Sequence, residues 1–152
     1  MIATVPVCAD DDLFLFQLFA STREDEIASW GFDQKTAEQF FRMQWMAQTQ
    51  SYRLLYPGAD HQIIAVDQVK AGRLILDRTD SAIHVVDVSL LPAFRSQGIG
   101  TGILRQLQQE AVQQKKTLSL SVHVSNPAKR LYDRLGFSVV SGDGVYVRMQ
   151  WS

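Results

Sequence analysis

The sequence has little of several features that direct a chain to a particular class of protein. Cys8 is the only cysteine, which excludes an internal disulfide, and no cysteine and histidine cluster has zinc spacing. The apolar run at residues 13–20 is far too short to cross a bilayer, and the N-terminus lacks the basic region of an export signal. We therefore expect a cytoplasmic protein with no membrane partner and no metal.

Neither sign of charge dominates the sequence. Fifteen lysines and arginines nearly balance sixteen aspartates and glutamates, which leaves a net charge of −1. No overall basic field is present to attract nucleic acid, so the expected partner is a small molecule. The 152 residues, 46% of them hydrophobic, suit one domain over residues 1–152 with a full core.

Runs of alternating or continuous apolar residues predict seven strands, of which the first lies at an edge because Pro6 removes a donor. These strands are Ile2–Val7, His61–Val66, Lys70–Leu76, Ile83–Leu91, Thr117–Val124, Phe137–Val140 and Val145–Trp151. Asp67 and Gln68 are predicted to form a hairpin turn, and Gly72 marks a bulge.

Apolar residues three or four apart predict four helices. They run from Asp10 to Phe19, from Asp33 to Leu55, from Ile99 to about Gln114, and from Pro127 to Leu135. Asp33 is the predicted cap of the second helix, and Ser125 or Asn126 that of the fourth. Residues 22–30 are predicted to be a polar connection or a short helix.

The stretch from residue 82 to 107 changes from a buried-strand pattern to a helical one. Pro92 closes the strand, and Gly98 and Gly100 stand where the helix begins. Glycines at a helix N-terminus let the backbone approach an anion, and Arg95 adds a guanidinium beside the same loop. The pattern therefore predicts a site for a diphosphate.

Two common phosphate-binding sites do not fit this loop. A Rossmann dinucleotide site needs a third glycine where Ile103 stands, and the next strand offers no acidic residue for a ribose. A Walker loop needs glycine and lysine followed by serine or threonine, which the sequence lacks. A different phosphate-bearing cofactor is expected.

Two segments resemble motifs of the GNAT superfamily of acyl-CoA N-acyltransferases. Residues 95–100, RSQGIG, match the family loop Arg/Gln-x-x-Gly-x-Gly/Ala, and residues 126–137, NPAKRLYDRLGF, match Asn-Pro-Ala-x-x-Leu-Tyr-x-x-x-Gly-Phe. The similarity covers about Gln62 to Trp151. It implies an α/β GNAT fold with a mixed, mostly antiparallel sheet of about six to seven strands, splayed near its middle and flanked by about four helices.

The resemblance also implies acetyl-CoA as the co-substrate. Residues 97–101 would hold the diphosphate, a backbone N–H around Leu90 would polarise the thioester carbonyl, and Asn126 would bind the pantetheine arm. Lys129 and Arg130 are candidates to reach the 3′-phosphate of CoA, although a solvated helix face explains them equally well. The candidate cofactor-binding residues are Leu90, Leu91, Arg95, Gln97, Gly98, Ile99, Gly100, Thr101, Asn126 and Lys129.

Acyl transfer to an amine needs a proton donor for the departing thiolate and a route for the proton of the amine. Tyr132 is the family's usual general acid, and a phenol with a reference pKa of about 10 suits that role. His84 and Asp87 are the two candidate bases, although strand alternation puts them on opposite faces unless a bulge intervenes. Many family members use only ordered water.

The expected function is transfer of an acetyl group from acetyl-CoA to a primary amine of a small molecule, by direct attack in a ternary complex. One alternative is an N-acetyltransferase that acts on a peptide or protein, and another is a CoA-binding domain without turnover. The resemblance assigns the acceptor pocket to the N-terminal helices, whose aromatic residues, Tyr52 among them, are expected in the core. A homodimer is common in the resembling family.

Overall fold

The computed structural model describes residues 1–23 and 31–152, so most of the predicted connection at residues 22–30 lies outside the described residues. The strands are β1 (Ile2–Pro6), β2 (Asp60–Val66), β3 (Val69–Arg78), β4 (Ala82–Leu90), β5 (Thr117–His123), β6 (Ser138–Gly142) and β7 (Tyr146–Trp151). The described helices are α1 (Asp12–Ser21), α2 (Gln34–Leu55), α3 (Ile99–Gln114) and α4 (Ala128–Arg134).

The seven strands form one sheet in the order β1-β2-β3-β4-β5-β7-β6. The β4–β5 pair is parallel, and the other pairs are antiparallel. The predicted mixed, mostly antiparallel sheet is thus confirmed, with β4 at its centre and β1 at its edge. Among the described residues, no helix is both long and apolar enough to cross a membrane.

The main core lies between the sheet and α3. The helix buries one apolar stripe, which consists of Ile99, Ile103, Leu104, Leu107 and Ala111. It packs on the β4 and β5 side chains that point to the same face, including Ile83 and Leu118. Each fully buried residue of this size contributes about 1.5–3 kcal/mol, so this contact fixes α3 against the central strands.

The predicted caps and turns are largely confirmed. Asp33 Oδ1 accepts a hydrogen bond of 2.7 Å from the N–H of Thr36 at the start of α2. Asn126 Oδ1 accepts one of 2.9 Å from Ala128 at the start of α4. Asp67 has a positive φ, as the hairpin turn between β2 and β3 requires.

Three local predictions need correction. Asp11 does not belong to α1 but to a 3₁₀ turn before it, where its carboxylate accepts from Cys8 N–H at 2.9 Å and pairs with Lys70 at 2.6 Å. Only Asp12 then lies in the first turn of α1.

The closing hairpin has a shorter turn than predicted, because β6 extends to Gly142. The bulge expected at Gly72 is at Ala71, which has no partner in β2.

We expect Gly72 to be essential for the close approach of β3 to β4. A Cβ built at this position would lie 2.0 Å from the carbonyl oxygen of Ser89. The Gly72→Ala variant should therefore lose about 1–3 kcal/mol of unfolding free energy, measured by urea denaturation. Gly58→Ala is the matched control, because no described atom lies within 4 Å of its Cβ. Equal stability of the two variants would contradict this register.

Candidate active site

The site begins where β4 and β5 separate. Their parallel pairing ends at Val85 and Leu120, although β4 continues to Leu90 and β5 to His123. Beyond that pair the facing edges of the two strands border a cleft of about 880 Å³. The splay expected near the middle of the sheet is therefore this cleft.

A β-bulge at Val86 lies directly after the last parallel pair. Val86 has no partner in β3, whereas the residues before and after it pair with adjacent β3 residues. An extra residue reverses the alternation of side chains beyond it. His84 and Asp87 therefore lie on the same face of the sheet, the one covered by α2. The bulge that places the two candidate bases on one face is therefore present.

The N-terminus of α3 faces the cleft at Gly100. Gly98 precedes the helix with a φ of 80°, and the first intrahelical bond shown runs from Gly102 N–H to Gly98 O at 3.0 Å. The amides of Ile99 and Thr101 in the first turn have no acceptor within the helix. These free N–H groups and the positive end of the helix dipole can bind a phosphate.

Arg95 and Gln97 shape the loop before α3. Arg95 lines the cleft, and its Nε donates to the carbonyl of Leu90 at 3.0 Å. Gln97 Nε2 donates to the carbonyl of Ala93 at 2.7 Å, which ties the loop to the short turn at 92–94. Arg95 keeps its two terminal nitrogens for a ligand, since neither has a partner within residues 1–23 and 31–152.

The N–H group of Leu90 points into the cleft. Leu91 N–H donates to Ala71 O on the β3 side at 2.8 Å. Successive N–H groups of a strand point in opposite directions, so the N–H of Leu90 is directed away from β3. No β5 partner reaches this part of β4. Within the part of the chain that the structure describes, the group is therefore free to donate to an oxygen that gains negative charge in a reaction.

Tyr132 and Asn126 line the cleft from the side of α4. Tyr132 is 8% exposed, and burial, with a smaller effect from the charge of Asp87, raises the pKa of its phenol. The phenol consequently stays protonated near neutral pH and can donate a proton. Asn126 uses its Oδ1 to cap α4, which leaves its amide NH₂ available to a ligand. Lys129 pairs with Asp133 at 3.3 Å and does not line the cleft.

His84 does not line the cleft. Its Nδ1 is 2.9 Å from Ser119 Oγ, and its Nε2 is 3.5 Å from the hydroxyl of Tyr56. Burial, followed by the charge of Arg148, lowers the pKa of His84. The imidazole is thus neutral at neutral pH, and the ring of Tyr56 stacks on it with 5.7 Å between the centroids.

Asp87 lines the cleft as a paired carboxylate. It accepts from Arg73 Nε at 2.8 Å, from a second Arg73 nitrogen, and from Ser89 Oγ at 2.7 Å. Arg73 is 7% exposed, and its Nη2 also donates to Gln48 Oε1 at 2.8 Å. Both carboxylate oxygens of Asp87 therefore accept from protein donors.

Sequence reasoning missed Arg73, and it placed Tyr52 in the core. Arg73 is a charged residue within the otherwise apolar buried run of β3, and its cross-strand partner Ser89 lies two residues after Asp87. The arginine within an apolar run was the available signal in the sequence. Tyr52 lines the cleft, although its position in the apolar pattern of α2 predicts the core. Among the described residues, no group of three or more histidine, cysteine, aspartate or glutamate side chains can hold a metal ion.

A comparison with protein-family models identifies one family that matches most of the chain. Residues 20–149 match the sequence model of a family described as an acetyltransferase (GNAT) domain. A search of curated proteins found no match to the chain.

Several solved structures share the fold. The PaiA N-acetyltransferase of Thermoplasma acidophilum, in complex with coenzyme A, is 16% identical with a TM-score of 0.72, covering 99% of this chain and 98% of that one. The N-acetyltransferase PseH of Campylobacter jejuni, in complex with acetyl coenzyme A, is 14% identical with a TM-score of 0.62, covering 100% and 99%. A GNAT family acetyltransferase of Elizabethkingia anophelis with acetyl-CoA bound is 12% identical with a TM-score of 0.61, covering 99% and 97%.

We expect His84 to make the stability of the protein pH-dependent. The folded state lowers the pKa of His84 below 6.5, so the unfolded chain binds a proton more readily as the pH falls through that value. The unfolding free energy should therefore decrease between pH 7 and pH 5. The decrease should be smaller in His84→Gln, measured by urea unfolding followed by tryptophan fluorescence. His61, whose pKa burial also lowers, accounts for part of the remainder. An unchanged slope in the variant would show that His84 is not shielded as described.

Proposed function

The chain belongs to the acetyltransferase (GNAT) family, whose sequence model matches residues 20–149, and on that basis we propose that it transfers an acetyl group from acetyl-CoA to a primary amine of a small molecule. The observation that carries this proposal is the cleft between β4 and β5. Free amides at the start of α3, the N–H of Leu90 and the phenol of Tyr132 all face it.

The loop before α3 fits the diphosphate of the co-substrate. No described atom lies within 4 Å of the point where a Cβ of Gly98 would stand, so the approach to the amides is open. Residues 97–101 then supply backbone donors, and Arg95 adds its terminal nitrogens. The NH₂ of Asn126 is available to the amide groups of the pantetheine arm. Lys129 reaches the outer phosphate only if it leaves Asp133.

The bound co-substrate supplies an activated thioester. The Leu90 N–H donates to the thioester carbonyl oxygen, where negative charge develops as the amine attacks. Leu91 is unsuited to this role, because its N–H already donates to Ala71. Tyr132 gives its proton to the departing thiolate. The amine attacks directly in a ternary complex, so no covalent intermediate forms on the protein.

The acceptor amine loses its proton to water in this proposal. Asp87 is engaged by Arg73 and Ser89, and His84 does not line the cleft. Either residue would have to leave its present contacts to act as the base. Water can enter a cleft of this size without any rearrangement.

Two alternatives are distinguished by simple assays. Tight coenzyme A binding in calorimetry, with no thiol release in the presence of any amine, would favour a binding domain without turnover. Acetylated products found by mass spectrometry only after incubation with a peptide library would favour a peptide acceptor.

We expect the Gly98→Ala variant to bind coenzyme A about tenfold more weakly, measured by calorimetry. The added methyl group enters the open space before the amides, and a φ of 80° is unfavourable for alanine. Gly144→Ala is the matched control, since it also has a positive φ and open surroundings but lies in the β6–β7 turn. Equal affinity of both variants would remove this loop from the cofactor site.

We expect Tyr132→Phe to lower kcat by about 10²–10⁴-fold while the affinity for coenzyme A stays the same. The variant keeps the ring that packs on Phe137 at 5.9 Å between centroids and removes only the proton donor. Tyr146→Phe, which removes a phenol elsewhere in the same cleft, should retain turnover. Thiol release measures kcat, and an undiminished value for Tyr132→Phe would exclude it as the acid.

A further inference from the structure

The half of the cleft that faces away from α3 and α4 is lined mainly by hydrogen-bond donors. The lining residues on this acceptor side come from α2, from β3, and from the end of α1 and the two residues after it; they include Arg23, Gln44, Gln48, Tyr52 and Arg73. None of them belongs to the two segments that resemble family motifs.

The charges of the described lining do not favour a purely cationic acceptor. The described lining contains Arg23, Arg73 and Arg95, but Asp87 is its sole carboxylate. Asp87 is already held by Arg73 and by Ser89. An ammonium group that enters the cleft therefore finds no unpaired carboxylate among the described lining residues, whereas an anionic group finds several donors.

The electrostatic environment of Tyr52 indicates that the charged side chains of the lining lie around one pocket. The charges of Asp87, Arg73 and Arg23 all act on its phenol, and burial is the main cause that raises its pKa to about 12. Tyr52 therefore remains a neutral O–H donor. Arg73 commits Nε and Nη2 to protein partners, and its Nη1 has none within the described chain. Arg23 stacks over Phe19 at 4.2 Å, and its one hydrogen bond within residues 1–23 and 31–152 is to Thr22.

Gln44 differs from the other lining residues of the acceptor side because it offers a hydrogen-bond acceptor. Its Oε1 is buried in the cleft wall and has no hydrogen-bond partner within residues 1–23 and 31–152. A buried carbonyl oxygen without a donor is costly, so a bound molecule with an N–H group would stabilise it.

We propose that the acceptor is a primary amine that also carries a carboxylate, as an amino acid does. The carboxylate accepts from Arg23, the Tyr52 hydroxyl and Arg73 Nη1, and an N–H group of the acceptor donates to Gln44. This inference rests on the proposed acetyl transfer and specifies its substrate class.

The test compares three sets of amines with the intact protein and acetyl-CoA, using thiol release. The sets are amino acids, their methyl esters, and diamines of matched length. The amino acids should give a kcat/KM at least about tenfold above that of the esters or diamines, because a charge-assisted hydrogen bond is lost in both. A higher kcat/KM for the diamines, or equal values for acids and esters, would overturn the inference.

Variants of the lining residues test which side chains bind the carboxylate of the acceptor. Arg23→Gln and Tyr52→Phe should each raise KM for the best amino acid about tenfold, with unchanged KM for its ester and unchanged affinity for coenzyme A. Arg53→Gln is the control, since this exposed arginine of α2 does not line the cleft. An equal rise for acid and ester would contradict carboxylate binding. If wild-type protein neither binds coenzyme A nor acetylates any amine, the proposed function fails and the inference falls with it.

Discussion

The β-bulge at Val86 separates the two central strands at the point where their parallel pairing stops. If β4 continued without the extra residue, its alternation would carry Asp87 to the face packed by α3, where an unpaired carboxylate is costly. Continued pairing with β5 would also occupy the N–H of Leu90. One inserted residue thus opens the cleft, frees a backbone donor and directs a charged side chain to the opposite face.

The buried ion pair of Arg73 and Asp87 depends on the bulge, which places Asp87 on the face covered by α2. This ion pair forms part of the wall of the acceptor side. Arg73 joins β3 to β4 through Asp87, and to α2 through Gln48. Its guanidinium also lies over Trp45 and Tyr52, with 5.3 Å and 5.9 Å to the ring centroids. A buried ion pair is often no more stable than apolar residues of similar volume. A role in shaping a polar pocket explains its position better than stability does.

The sequence predicts the proposed cofactor side of the cleft, formed by the start of α3 and by α4, better than the proposed acceptor side, for a physical reason. The bounds of α3 follow from a local apolar stripe and from Gly98 at its start, and the cap at Asn126 follows from residues within the same turn. The bulge at Val86 has no local signature in an apolar run. The pairing of Arg73 with Asp87 requires the register of two strands, which no pattern within either strand contains.

The two sides of the cleft also differ in the atoms that they use. The cofactor side presents backbone amides, whose geometry survives large changes in sequence as long as the glycine loop and the helix remain. The acceptor side presents side chains from α1, α2 and β3, and a single substitution changes what they bind. Structures that are only 12–16% identical share this fold over almost their whole length, so the fold itself does not require one particular set of side chains. Acceptor specificity must therefore be inferred from this chain's own Arg23, Gln44, Tyr52 and Arg73, because a shared fold does not determine them.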